Sequence, residues 1–397
     1  MNSMKYGYAL TTHQINNQEY IVCLHLDDNR NLMGIHISNQ SQKQILNHIY
    51  VGRVENIIPS IKACFVRFAQ DQVCFLPLSE CESPYYSKKN SKKSGLCCGD
   101  EILIQITREA LKEKEPAASC NFTLQGKYMV LTTKDKSFSA SSRLSVDDKN
   151  RMKALLKEQV DARENFGIVI RTIAQNASDE DLLSDFFNLQ AQFRQIEETY
   201  THKALYDEIW AEAPTYINYL KNQFRPNEEE IVTDIPQIAD EINRSLPVAK
   251  ESLRFYDDKV VSLSTLYHIR GNIDSLLAKK IWLKSGGNII IEQLETLTFI
   301  DVNTAKSDKN KSNAFAINHE AMQSALRQIA LRNISGMILI DFINMKPEEE
   351  SALIEALKAE TKKHENPCRF VDITKLGLVE LTRKKVQKSI KEICQIS

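Results

Sequence analysis

The chain has 397 residues, 42% of them hydrophobic, with 51 Lys and Arg set against 52 Asp and Glu. That length allows several compact domains with buried cores, and the composition is that of an ordinary globular protein. A formal net charge of −1 excludes a protein that draws polyanions by bulk charge alone, and MNSMKYGYALTTHQ at the start has no apolar signal core.

No uncharged apolar run approaches the ~18 residues a membrane helix needs, so no membrane association is expected. The nine cysteines are odd in number and contain no C-x-x-C pair, although Cys97 and Cys98 are neighbours. This pattern predicts reduced thiols in a cytoplasmic protein, with neither a disulfide framework nor a cysteine zinc site. Basic runs occur at Lys88–Lys93, Lys306–Lys311 and Arg383–Lys391. Singly, such runs are solvated surface charge.

Apolar and polar residues alternate through residues 5–36, with polar turns at Asn17 and Asp28, which predicts a small β-meander. A second β-rich block follows (HIYVGRVENI, KACFVRFA, QVCFLPL and, later, EILIQIT), with Gly52 and Pro59 at turns. It predicts a small closed barrel. The polar stretch 82–96, with four lysines, reads as a long exposed loop. Residues 121–204 mix strands (YMVLTT, FGIVIRT) with helices. Ser145 with Asp148 and Ser178 with Asp181 are capping-box candidates. A helix over 178–201 is predicted to bury Leu182, Leu183, Phe186, Phe187, Leu189 and Phe193. Residues 205–280 are mostly helical, with a short strand at EIVTD.

The last 120 residues alternate apolar strands (NIIIE, TLTFIDVN, GMILIDFI, CRFVDI) with helices over about 314–333 and 347–363. This predicts an α/β layer with a largely buried sheet. Gly286-Gly287 forms a turn, and neither a P-loop nor a dinucleotide fingerprint is present.

Two of these strands end alike: TLTFID on Asp301 and GMILID on Asp341. One helix separates them, which predicts neighbouring strands with both carboxylates at the carboxyl edge, where open α/β sheets place ligands. Two carboxylates about 4 Å apart repel by roughly 4 kcal/mol at an effective dielectric of 20. A hard divalent cation removes that cost, and Mg2+ takes one or two carboxylates together with substrate phosphates. Asn303 lies two residues beyond Asp301 on the same strand face and could orient a carboxylate or a water.

With SGGNIIIEQLETLTFIDVNTAK and ISGMILIDFINM in view, the chain resembles the ribonuclease E/G family over nearly its whole length. The resemblance implies an α/β (α+β multidomain) architecture. An RNase H-like domain would be split between 1–43 and 205–277, with an OB-fold RNA-binding barrel at 44–116. A region sensing the RNA 5′ end would occupy 117–204, and a DNase I-like catalytic domain 278–397. It implies a Mg2+-dependent endoribonuclease that cleaves single-stranded RNA in rRNA processing and mRNA decay, in the cytoplasm, with a preference for 5′-monophosphorylated ends. Asp301 and Asp341 match the family's metal-binding carboxylates, and Asn303 the residue that positions one of them. Arg171, Thr172, Gly126 and Val130 match the 5′-phosphate pocket. Phe65, Phe75 and Lys114 match the residues that line the RNA channel on the barrel. The strand pattern alone leaves open whether the two phenylalanines face into the barrel or out.

The sequence departs from the family pattern in several places. It reaches Ser397 without the family's C-P-x-C-type element, so a monomer or a dimer through another interface is expected, not a zinc-linked dimer. Asn344 stands where a second Asp is usual in D-F-I-D, SDKNKSN replaces a Gly-rich stretch, Glu115-Pro116 replaces small residues, and Cys74 replaces a Gly. Two alternatives from other classes are a non-catalytic RNA-binding protein in ribosome or RNA maturation and a metal-dependent phosphatase using the same carboxylate edge.

Overall fold

Alternation of apolar and polar residues gives three antiparallel strands at the start of the chain, Gly7–Ile15, Gln18–Leu26 and Leu32–Asn39. The predicted meander is therefore present. Its first strand also pairs in parallel with Glu230–Thr233, which pairs with Leu253–Phe255, to make a five-stranded sheet. That long-range pairing has no local sequence signal. The computed structural model describes residues 7–39, 45–90, 95–110, 114–159, 164–226, 228–304, 314–361, 366–385 and 388–394. The Lys306–Lys311 run and the divergent stretch at 306–313 lie outside the described residues, as do parts of the other two basic runs.

The chain divides into two compact units, one formed by 1–40, 227–239 and 252–397, the other by 41–226 and 240–251. In the second unit, Ile49–Ile58, Ala63–Ala69, Gln72–Pro77, Ala117–Ser119 and Glu101–Arg108 pair in succession, and the last returns to the first. This is a closed five-stranded, OB-like barrel, as the turn spacing predicted. Its interior holds Cys64, Val66, Phe68, Cys74, Leu76 and Ile104, all buried. Within the 82–96 stretch, of which 91–94 lie outside the described residues, Tyr86–Lys88 is a strand and not loop, pairing with Glu101–Arg108. The buried carboxylate of Asp100 accepts from the backbone N–H of Asn90 and of Cys97, at 2.8 and 2.9 Å.

A four-stranded sheet follows, in the order Thr123–Gln125, Met129–Thr132, Gly167–Ile170, Phe138–Ala140. The helix Asp179–Thr199 shares its apolar core. Ser178 and Ser145 do cap their helices, each accepting from the backbone N–H three residues on. Phe187, however, is 45% exposed, and Gln190 and Ile196 join the buried stripe in its place. At 100° per residue, Phe187 is turned away from the stripe that Phe186 occupies.

In the first unit a six-stranded sheet runs Lys280–Trp282, Asn288–Gln293, Leu297–Asn303, Gly336–Asp341, Val379–Arg383, Cys368–Ile373. Ile289, Ile291, Ile300, Val302, Ile338, Ile340 and Leu381 pack on Ile317, Ala321, Met322, Leu353 and Leu357 of the helices Ala314–Leu331 and Pro347–Thr361. The other face is half exposed, so the expected largely buried sheet is in fact covered on one side. The reason is topological. Only Leu297–Asn303 and Gly336–Asp341 pair in parallel, the rest being antiparallel, and antiparallel sheets can leave one face to solvent.

Candidate functional site

In Leu297–Asn303, Thr298, Ile300 and Val302 are buried, while Leu297, Phe299, Asp301 and Asn303 alternate with them on the open face. Gly336–Asp341 repeats the pattern, with Ile338 and Ile340 buried and Leu339 and Asp341 half exposed. Asp301 pairs directly with Asp341 in the parallel register. Paired residues on neighbouring strands share a face, their backbones roughly 4.8 Å apart across the strands. Both carboxylates therefore leave the sheet on its open side at the carboxyl ends of the strands, as the repeated ending predicted.

Asn303 is joined to this pair, its Nδ2 donating to Asp301 Oδ2 at 2.7 Å. Gly287 supports Asn303 from the next turn, since a Cβ there would stand 2.8 Å from the Asn303 carbonyl oxygen. Behind Asp341, the fully buried Asn318 donates through Nδ2 to the Ile343 carbonyl at 2.7 Å and accepts from the Ile343 N–H at 3.0 Å. This fixes the backbone where the chain leaves the strand. Asn318 was missed from the sequence, although an amide among Ile317, Ala321 and Met322 on an apolar helix face is a visible signal. Asn344 is exposed beyond the strand end.

Among the described residues no group of three or more His, Cys, Asp or Glu could hold a metal ion. The donors at this place are the two carboxylates and the Asn303 amide oxygen. That set fits Mg2+, which retains several waters and phosphate oxygens, better than an ion requiring an all-protein cage.

On the barrel, Phe65 and Phe75 are register partners with ring centroids 5.9 Å apart, edge to face. Their neighbours Cys64, Val66, Cys74 and Leu76 fill the interior, so the two rings face outward. Lys114 is exposed, three residues ahead of Ala117–Ser119. Pro116 contributes its carbonyl, which accepts from Phe75 N at 2.8 Å.

In the four-stranded sheet, Arg171 follows the strand Gly167–Ile170 and donates through Nη1 to the carbonyls of Gly126 and Lys127, at 3.1 and 3.2 Å. Its Nη2 donates to Asn222 Oδ1 at 2.6 Å. The Thr172 hydroxyl lies 2.8 Å from that of Ser141. Val130 pairs with Val169 on the strand leading to Arg171. Gly126 needs its missing side chain for a reason the sequence did not show: the Asp185 carboxylate occupies the space a Cβ would enter. Asp185 accepts from the N–H groups of Lys127, Tyr128 and Met129. Burial pushes its carboxyl above the usual carboxylate range, against the pull of those donors. Burial likewise lowers the Lys221 ammonium, which donates to the Gln125 carbonyl at 3.0 Å. A small pocket beside Gly126 is lined by Lys127, Asp181, Asp185, Asn188 and Lys221.

A family model described as the ribonuclease E/G family matches residues 123–386, well over half of the chain. The chain belongs to that family. Ribonuclease G of Haemophilus influenzae is 28% identical over 380 residues, which is 91% of this chain and 77% of that protein. Ribonuclease E of Buchnera aphidicola subsp. Schizaphis graminum is 28% identical over 383 residues, and there the chain spans 39% of the relative's length. A putative ribonuclease E of Buchnera aphidicola subsp. Baizongia pistaciae is 29% identical over 387 residues, 93% of each protein. No helix among the described residues is long and apolar enough to cross a membrane.

Proposed function

We propose that this member of the ribonuclease E/G family is an endoribonuclease of RNA processing and decay that cuts single-stranded RNA at Asp301 and Asp341. The observation that carries this is their in-register pairing on the open face of a one-sided sheet, with Asn303 bonded to Asp301. Asp301 and Asp341 would hold Mg2+, which supplies Lewis-acid polarisation of the scissile phosphate and a more acidic attacking water. Asn303 holds the Asp301 carboxylate in one orientation, so less reorganisation is needed as the phosphate arrives. The half-exposed face admits an extended strand from the side.

The outward pair Phe65 and Phe75, with Lys114 nearby, suits base stacking and phosphate contact, which accept any base sequence. Arg171, Thr172, Gly126 and Val130 are the residues for a 5′-monophosphate preference. On this reading 278–397 is the DNase I-like catalytic part, 44–116 the OB-fold RNA-binding part and 117–204 the 5′-sensor. An RNase H-like part comprises 1–43 with 205–277, and the protein works in the cytoplasm.

The test is cleavage of a 5′-monophosphorylated single-stranded oligonucleotide with Mg2+. Asp301→Asn and Asp341→Asn should each abolish cleavage while RNA binding persists, and Arg171→Ala should narrow the difference between 5′-phosphate and 5′-hydroxyl substrates. Either aspartate variant cutting at the wild-type rate would defeat the assignment. Binding without cleavage by the unaltered protein would indicate a non-catalytic RNA-binding role.

A further inference from the structure

The register of the six-stranded sheet extends the row of the two aspartates across two more strands. Asp341 pairs with Asp301, Asp301 with Ile290, and Ile290 with Lys280. The adjoining row runs from Asn303 through Asn288 to Trp282. Directly paired residues point to the same side of a sheet, so Lys280 and Trp282 emerge on the face that carries Asp301, Asn303 and Asp341. Two strand spacings, roughly 10 Å, separate them from Asp301 and Asn303. That is the reach of a nucleotide or two along an extended single strand.

The side chains match what such a strand presents. Trp282 is 66% exposed, a large aromatic surface left in water on an edge strand. The Lys280 ammonium stands over its ring, 4.1 Å from the centroid. Glu292, the nearby acid on this face, is engaged by Lys279 at 3.2 Å. The row therefore ends in carboxylates suited to a cation on one side and in an ammonium suited to a phosphate on the other. A solitary exposed aromatic needs no explanation. An exposed tryptophan under a cation that is in register with a carboxylate pair, on a half-exposed sheet face, is a more specific arrangement.

We propose that Lys280 and Trp282 form a subsite for the RNA flanking the cleaved bond, with a base stacked on the Trp282 indole and a backbone phosphate against Lys280. This deepens the endoribonuclease reading and rests on it. Trp282 binds and positions and does not touch the reacting atoms.

Two measurements test it. Trp282→Ala should raise KM for a short single-stranded RNA about tenfold with kcat unchanged, and Trp282→Phe should recover most of the loss. Lys280→Gln should reduce the salt dependence of binding by about one unit of slope. The chain has two tryptophans, so a Trp210→Phe background leaves Trp282 as the single indole reporter. With divalent metal chelated, a single-stranded oligonucleotide should quench its fluorescence with the midpoint given by anisotropy of the labelled oligonucleotide. Unchanged KM in Trp282→Ala together with no quench would overturn the subsite and leave the endoribonuclease reading standing. Saturable quench without any cleavage would uphold the subsite and remove the endoribonuclease reading instead.

Discussion

Asn318 shows how a residue remote in sequence orders a site. Its amide makes two complementary hydrogen bonds with the backbone of Ile343, two residues past Asp341, from a fully buried helix position. Asn318→Ala would leave a carbonyl and an N–H without partners, at a cost of about 1–3 kcal/mol for each group left unsatisfied. The variant should therefore unfold at lower denaturant concentration and, through a looser Asp341, cleave more slowly. A wild-type midpoint and rate would show that the clamp has no role. Asp301, Asp341 and Asn303 were legible because they sit at repeated strand ends with two-residue spacing. Asp185 was not, because nothing local says that a helix carboxylate will collect three N–H groups next to Gly126.

At the scale of elements, the helix Asp179–Thr199 separates period from packing. Its apolar stripe was readable, but Phe186 and Phe187 are adjacent and only one can face the core. Phe186→Ala should cost about 3–5 kcal/mol, and Phe187→Ala less than about 0.5 kcal/mol. Comparable losses in chemical denaturation would refute the assignment of faces. The same logic settles the barrel. Alternation placed Phe65 and Phe75 on one side with Cys64, Val66, Cys74 and Leu76 on the other, and closure of the barrel decides which side is inside. The largely buried sheet expected in the last 120 residues is covered on one side because apolar runs do not reveal strand direction, and antiparallel neighbours permit a half-exposed face.

For the whole molecule, the unit that contains the aspartate pair has a built-in acid sensitivity. His36 on Leu32–Asn39 is 7% exposed, and burial lowers its imidazole from 6.5 to about 4. The unfolded chain keeps the ordinary value, so between pH 6.5 and about 4 it binds a proton that the folded chain does not. Stability should fall as pH drops through that window, by up to about 3 kcal/mol, with no contribution above pH 6.5. His36→Gln should flatten the fall measured by denaturant midpoints between pH 7 and 4. An unchanged profile would place the sensitivity elsewhere.

By itself, the sequence determined the local features: strand alternation, helix caps, the meander, the barrel strands and the two aspartates at matching strand ends. These follow from spacings of two or about 3.6 residues and need only neighbouring positions. Tertiary structure decided what depends on distant partners. Among these are the parallel addition of Glu230–Thr233 to Gly7–Ile15, the half-exposed face of the sheet, the outward turn of Phe65 and Phe75, and the row joining Asp341 and Asp301 to Lys280. Pairing register between strands is set by which faces are buried together, and that choice is made only when the whole sheet packs.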